Sequence, residues 1–150
     1  MRGSFQRSTQ VSVSPVDVWE VLHDVDLLAS YSSHLGAVTT VEADRLWTTA
    51  LQDRVGPFRL SAPMEVEILD ETDMVEISIR ASGQDRGPGT RLVVEASVQL
   101  DETNGDTMLT LTGSYDLRGK VAALGGAVAR RQAETMIDEF WANLISDLQG

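Results

Sequence analysis

The sequence predicts an α+β fold in which a curved antiparallel sheet of about six to seven strands wraps around a long C-terminal helix. In the middle of the chain, runs of alternating apolar and polar residues are joined by short turns, which is the pattern of antiparallel strands. Roughly the last thirty residues instead place apolar side chains at helical spacing. Only this helix is large enough to cover the apolar face of the sheet. The two should therefore enclose a cavity, in the arrangement called a helix grip.

The first elements are a strand and two short helices. Alternation predicts a strand with one polar face over Phe5–Val13. A helix should follow from about Pro15–His23, because Ser14 is a suitable N-cap and proline is tolerated in the first turn. Asp26 is expected to cap a second short helix, which ends in the stretch 32–36.

The central strands are separated by turn signals. Residues 70–73 are predicted as a turn, and 83–89 as a loop from their glycine and proline content. Asn104-Gly105 is a strong hairpin signal between two apolar runs. The predicted strand segments are 37–43, 46–55, 58–68, 75–81, 92–100 and 109–117.

The last element is predicted as a helix over Lys120–Leu148. A Gly125-Gly126 pair lies inside it and would cost about 1–2 kcal/mol of helix stability relative to alanine. The pair therefore marks a kink, a break or a close approach. The apolar stripe of this helix consists of Val121, Leu124, Val128, Met136, Phe140, Leu144 and Leu148.

Composition bounds the function. The length of 150 residues suits one domain, residues 1–150. The absence of cysteine excludes disulfides, thiolate nucleophiles and Cys-type metal sites, and it fits a reducing compartment. A net charge of −11 argues against nucleic-acid binding. The start of the chain lacks the apolar core of a signal peptide, and no apolar run of about 18 residues occurs, so we expect a cytoplasmic protein.

Strand parity and the helical stripe predict the walls of the cavity. The expected apolar walls come from five of the six predicted central strand segments, from the last helix and from Leu35 in the stretch 32–36. They are Leu35, Trp47, Leu51, Phe58, Val66, Ile77, Leu92, Val94, Leu111, Tyr115, Leu124, Val128 and Phe140.

Three polar residues are candidates for ligand contact. Asp53 shares a strand face with Leu51, so it either points into the cavity as a base or polar anchor, or turns outward at the rim beside Gly56-Pro57. The hydroxyl of Tyr115 could bond a ligand or the backbone, and His34 could donate a hydrogen bond at the cavity mouth.

We expect no bound metal and no prosthetic group. The histidines, His23 and His34, are poorly placed to converge with a carboxylate on a metal ion, and a histidine at a helix C-terminus usually serves as a cap. The chain has no Gly-x-Ser-x-Gly elbow, and Gly87–Gly89 lacks the lysine of a phosphate loop.

Several short motifs resemble the CoxG family of carbon monoxide dehydrogenase subunits, nearly from end to end of the chain. They are Gly3–Phe5, Val16–Trp19, Arg54–Phe58, Gly119–Gly125 and Asp138–Leu144. This family belongs to the START-like (SRPBCC) superfamily of hydrophobic-ligand-binding domains, so the resemblance implies the same helix-grip fold.

The resemblance implies an accessory role beside a molybdenum-containing carbon monoxide dehydrogenase. The roles it implies are membrane recruitment at the inner face, maturation, or carriage of a quinone-type or lipid-like molecule. Two features depart from the family pattern. Leu35-Gly36 stands where many members have Pro-Gly, and the sequence ends at Gly150, where many have a tail. A membrane contact through such a tail is therefore not expected.

Three functions compete. The first is a non-catalytic carrier of an apolar ligand, favoured by the scarcity of inward polar groups. The second is a cyclase or dehydratase acting on a polyketide-like substrate, which would need several convergent polar groups in the cavity. The third is a protein adaptor in which side chains fill the cavity.

Overall fold

The computed structural model describes residues 1–85 and 89–150, apart from the side chains of Phe58 and Leu124. Seven strands and three α-helices lie within these residues. The strands are β1 (Arg2–Val11), β2 (Thr39–Glu42), β3 (Leu46–Val55), β4 (Phe58–Thr72), β5 (Glu76–Gln84), β6 (Arg91–Thr103) and β7 (Asp106–Arg118). The helices are α1 (Pro15–Leu22), α2 (Val25–Ser30) and α3 (Gly126–Gln149), with a 3₁₀ turn at Ala122–Leu124 before α3.

The seven strands form one antiparallel sheet in the order β1-β7-β6-β5-β4-β3-β2. Strand β1 reaches α3 through Arg7, whose guanidinium binds Asp138, and through Thr9, which accepts from the Trp141 indole. Strand β3 reaches the same helix from the other side through Asp53. Four strands separate β1 from β3, so the sheet must curve around α3 to make both contacts. The predicted fold class is confirmed.

Local sequence signals predicted most of the strand boundaries. Asn104 and Gly105 both have positive φ, 53° and 87°, as a tight two-residue hairpin requires. The turn predicted at 70–73 is displaced, because β4 continues to Thr72 and the turn occupies 73–75, with Met74 at φ 55°. Of the predicted loop at 83–89, Gly83 belongs to β5, and positions 86–88 lie outside the described residues.

Helix α1 begins at Pro15 as predicted, whereas the starts of α2 and α3 differ from expectation. Ser14 occupies the N-cap of α1, but its side chain makes no capping hydrogen bond. Asp24, not Asp26, caps α2, because its carboxylate accepts the Leu27 amide at 3.1 Å. The predicted last helix is broken at Gly125, whose φ of 98° is left-handed. Helix α3 therefore begins afresh at Gly126, with its own phase.

Packed side chains hold α3 at both of its ends. Near the N-terminus, Ala129 joins Val55, Leu117 and Val121 in a buried cluster. Near the C-terminus, Leu144 and Leu148 join the largest cluster, together with residues from α1, α2 and the far end of the sheet. The middle of α3 lies between these two anchors, opposite the concave face of the sheet.

Candidate functional site

Two adjoining cavities lie between the middle of α3 and the sheet. The first, here named the Asp53 cavity, has a volume of about 160 Å³. Strands β3, β4, β6 and β7 form its floor, and α3 forms its roof. Its walls are Phe5, Leu51, Asp53, Val55, Leu60, Leu92, Val94, Tyr115, Leu117, Val121, Ala129, Gln132, Ala133, Met136 and Ile137.

The second, here named the Phe140 cavity, has a volume of about 290 Å³. It extends toward α1 and α2. Its walls are Phe5, Leu22, Leu28, Ser32, Leu35, Ile77, Ile79, Ala96, Val98, Leu111, Met136, Ile137, Phe140, Trp141 and Leu144. Phe5, Met136 and Ile137 line both cavities, so the two cavities adjoin at these three side chains.

Two glycines determine how the aromatic wall side chains lie. A Cβ at Gly113 would come within 2.4 Å of the Phe5 ring, so Phe5 lies across β7 only because that position has no side chain. A Cβ at Gly3 would come within 2.3 Å of the Tyr115 phenol, so Tyr115 lies across β1 for the same reason. Both rings therefore lie along the sheet and leave the space beneath α3 open.

Asp53 points into the first cavity. Its side chain is only 6% exposed. Both carboxylate oxygens accept from the Gln132 amide of α3, at 2.9 and 2.8 Å, and Oδ1 also accepts the Arg54 backbone N–H at 2.7 Å. A buried carboxylate needs such donors to offset the loss of hydration. Of the two orientations that the sequence left open, the structure has the inward one.

His34 contacts Asp53 but is not part of the cavity wall. Its backbone carbonyl oxygen accepts a hydrogen bond from the Gln52 backbone N–H, which joins the loop to β3. The ring Nδ1 lies 3.3 Å from both the Gln52 carbonyl oxygen and Asp53 Oδ1. His34 lines neither cavity, so its polar contact is with Asp53 and the β3 backbone.

Tyr115 is the second polar group of the Asp53 cavity. The residue is 8% exposed, and no described residue hydrogen-bonds its hydroxyl. Burial raises the pKa of Tyr115 above its ordinary value. The hydroxyl therefore stays protonated at neutral pH and can either donate or accept a hydrogen bond inside the cavity.

The loop after α2 is tied to α3 beside the Phe140 cavity. The Glu139 carboxylate accepts the backbone N–H and the hydroxyl of Ser33, and these bonds lower the pKa of Glu139. Asn143 donates to the Tyr31 carbonyl at 2.8 Å, and the Tyr31 hydroxyl donates to Asp147. These ties hold Ser32 and Leu35 in the cavity wall.

Eight of the predicted apolar wall residues lie on the two cavities. The Asp53 cavity has Leu51, Leu92, Val94 and Tyr115, and the Phe140 cavity has Leu35, Ile77, Leu111 and Phe140. The predicted side chains of Phe58 and Leu124 lie outside the described part of the structure.

Three predicted wall residues lie elsewhere. Val128 is 41% exposed, because eight residues of one continuous helix place it about 80° around the axis from the inward Met136, whereas Ala129, seven residues from Met136, lies almost in line with it and faces inward. Trp47 is buried but lines neither cavity, and it pairs with the half-buried Val66. This pair is six residues along β3 from Asp53, a distance of about 20 Å.

Gln132, Phe5 and Ile137 escaped sequence reasoning, whereas Met136 was part of the predicted apolar stripe. Gln132 lies four residues after Val128 and four before Met136, so it is a polar residue inside an apolar stripe. This interruption of the stripe was the signal from which Gln132 could have been identified. Phe5 was missed because β1 was interpreted from its polar face, although its inward positions face α3.

Two kinds of feature are absent from the described residues: a metal-binding cluster and a membrane-spanning helix. Within residues 1–85 and 89–150, no three His, Asp or Glu side chains come together in a way that could hold a metal ion. In the same residues, no helix is both long enough and apolar enough to cross a bilayer. The adaptor hypothesis requires side chains to fill the space beneath α3. The two cavities show that this space is open.

Comparison with known proteins identifies the relatives of the chain. Residues 8–149 match the model of the CoxG family of carbon monoxide dehydrogenase subunits. No curated protein matches the chain. A conserved protein from Geobacillus kaustophilus superposes with a TM-score of 0.83 at 20% identity, covering 99% of this chain and 95% of that one.

Two further solved structures share the fold. The Zhui aromatase/cyclase from Streptomyces sp. R1128 has a TM-score of 0.69 at 17% identity, covering 100% of this chain and 93% of its own. Ara h 8.0201 has a TM-score of 0.66 at 13% identity, covering 99% of this chain and 98% of its own. At such identities these similarities show the fold alone.

Proposed function

Because this chain belongs to the CoxG family of carbon monoxide dehydrogenase subunits, we propose that it is a non-catalytic accessory protein that carries a hydrophobic ligand beneath α3. The pair of adjoining cavities with almost wholly apolar walls supports this most directly. Such walls bind by removing apolar area from water, at about 0.8 kcal/mol for each buried methylene. We also propose that residues 1–150 form one domain, since α3 and a single sheet contribute walls to both cavities.

The shape of the cavities favours a ring with an apolar tail, as in a quinone. A cavity of about 150 Å³ holds a benzene-sized ring, and the Asp53 cavity is of this size. Its polar groups, Asp53, Gln132 and Tyr115, suit a ring with oxygen substituents. Among the described walls of the Phe140 cavity, Ser32 is the only residue with a hydroxyl, so this cavity suits the tail.

The binding test uses a matched pair of substitutions on β6. Val94 lines the Asp53 cavity, whereas the neighbouring Val93 lies on the other face of the sheet. Val94→Trp should abolish binding of 2-decyl-1,4-benzoquinone, and Val93→Trp should leave it within about twofold. Tyr115→Phe should weaken binding less than tenfold, since one neutral hydrogen bond contributes about 0.5–1.5 kcal/mol. Unchanged binding by folded Val94→Trp would exclude this cavity as the site.

We propose that the partner is a carbon monoxide dehydrogenase-type molybdenum enzyme at the inner face of the membrane, to which the chain delivers the quinone. The family to which the chain belongs supports this assignment. With the purified partner enzyme, carbon monoxide and a limiting quinone, the chain should accelerate quinone reduction, and Val94→Trp should not. Equal rates with and without the chain would contradict delivery.

An enzyme of the cyclase or dehydratase type is the second candidate. The presence of Asp53 and Tyr115 in one cavity favours it, because a buried carboxylate and a phenol could serve as base and acid on a polyketide-like substrate. The test is turnover. If a polyketide-like substrate is converted, and Asp53→Asn or Tyr115→Phe stops its conversion, the enzyme hypothesis replaces the carrier hypothesis.

A further inference from the structure

The polar end of the Asp53 cavity offers mainly hydrogen-bond acceptors. Gln132 donates its NH₂ group to both carboxylate oxygens of Asp53, at 2.9 and 2.8 Å, so this group faces Asp53. The amide oxygen of Gln132 is thereby directed away from Asp53 and remains an acceptor. Asp53 at this end of the cavity therefore favours a ligand that brings a donor.

Asp53 retains unused acceptor capacity. Oδ1 accepts from Gln132 and from the Arg54 backbone N–H, and it has His34 Nδ1 at 3.3 Å. Among the described residues, Oδ2 accepts only from Gln132, at 2.8 Å. A carboxylate oxygen has about two acceptor sites, so Oδ2 can accept one further bond. A donor on a ligand in the cavity is the natural source of that bond.

Resting on the proposed function, we propose that Asp53 makes this cavity selective for a ring that carries a hydroxyl group, so that a hydroquinone binds more tightly than its quinone. The hydroquinone hydroxyl donates to Oδ2 in a charge-assisted bond. The quinone carbonyl can only accept, and it would place a second acceptor against the acceptor oxygen Oδ2. Tyr115 serves both forms, since its hydroxyl donates or accepts.

The difference should be about tenfold or more, because hydrogen bonds to a charged group are among the stronger ones. Hydroquinone forms when a quinone takes up two electrons and two protons, one proton on each carbonyl oxygen. Tenfold tighter binding of the reduced form raises the two-electron midpoint potential of the bound couple by about 30 mV. The reaction that supplies the preferred ligand is therefore a two-electron, two-proton reduction of a quinone.

The experiment compares two pairs of ligands on the full chain by calorimetry without oxygen. One pair is 2-decylhydroquinone and 2-decyl-1,4-benzoquinone. The other is redox-inert, 4-decylphenol and 4-decylanisole, in which the methyl ether keeps the acceptor oxygen and loses the donor. In each pair the hydroxyl form should bind about tenfold more tightly or better.

Asp53→Asn should bring both ratios close to one, because an amide can present either a donor or an acceptor to the ligand. Asp101→Asn makes the same charge change at an exposed position of β6 that lines neither cavity, and it should leave both ratios unchanged.

The outcomes separate the inference from the proposed function. Equal, tight binding within both pairs would overturn the selectivity and leave the carrier role standing. Binding of none of the four ligands would overturn both. The ratios for the unmodified chain require no variant, so they decide the question whether or not Asp53→Asn folds. A preference that persists in folded Asp53→Asn would assign the selectivity to another group and refute the role of Asp53.

Discussion

A series of ligands with increasing tail length tests whether the Phe140 cavity holds the tail. A cavity of about 150 Å³ holds a six-carbon ring, which gives roughly 25 Å³ per carbon. The 290 Å³ of the Phe140 cavity then accommodates about ten to twelve tail carbons. Each carbon up to that limit should improve affinity about fourfold, the equivalent of 0.8 kcal/mol per methylene. Beyond the limit, further carbons stay in water and add little.

The assay is displacement of a fluorescent anilinonaphthalene sulfonate by 4-alkylphenols with tails of two to sixteen carbons. Ala96→Leu adds three carbons to the wall of the Phe140 cavity, so it should move the plateau to a tail shorter by about three carbons. Ala43→Leu makes the same change in an exposed turn and should leave the plateau in place. Affinity that keeps rising at the same increment to sixteen carbons, or a plateau that Ala96→Leu does not move, would refute this placement of the tail.

Three further predictions concern stability and motion. Leu144→Ala, at a side chain only 1% exposed, should lower the free energy of unfolding by about 3 kcal/mol in urea, and a loss under 1 kcal/mol would deny that α3 is anchored there. Burial alone would lower the pKa of His23, but its hydrogen bonds to the Trp19 carbonyl and to Glu71 outweigh burial and raise it. A raised folded-state pKa gives stability that is present below the unfolded value of 6.5 and is lost as pH rises through the folded value. Glu71→Gln should therefore cost about 0.5–1 kcal/mol at pH 5.5 and almost nothing at pH 9, and an equal cost at both would exclude a charged pair. Amide hydrogen exchange should be faster over 132–140, where the inner face of α3 lies on the two cavities, than near Leu144 in the buried cluster. Binding of 2-decylhydroquinone should slow the faster segment, and uniform exchange along α3 would contradict this difference.

The element order was predictable because its signals are local. Alternation along the strands and the Asn104-Gly105 hairpin depend on neighbours within a few residues, and the structure has them where expected. The phase of α3 was not predictable in the same way. The predicted stripe steps by four residues, and each step drifts by about 40° around the axis, so within α3 the inward face passes through Ala129 in place of Val128.

The polar part of the site depends on contacts that are distant in sequence. Parity alone left Asp53 facing either way, since the same strand face could end in a bulge at Gly56-Pro57. The partner that decides its orientation, Gln132, is 79 residues away, on a different element. Patterns within a single sequence do not indicate which distant residues form such a pair. A polar residue in an apolar stripe and a carboxylate on an apolar strand face were each visible, but only the fold brings them together.

A carrier needs discrimination more than it needs additional affinity. Ten buried methylenes already contribute about 8 kcal/mol before association costs, and apolar walls provide this equally for any tail of suitable length. Such walls cannot distinguish two ligands that differ by one proton on an oxygen atom. A buried group that lacks its partner can, because the wrong ligand leaves it unpaired. Under the proposal above Asp53 has this property, since among the described residues its Oδ2 accepts only from Gln132 and can accept one further bond. Replacing Asp53 by leucine should therefore preserve or raise affinity for apolar tails and remove the selection among ring forms.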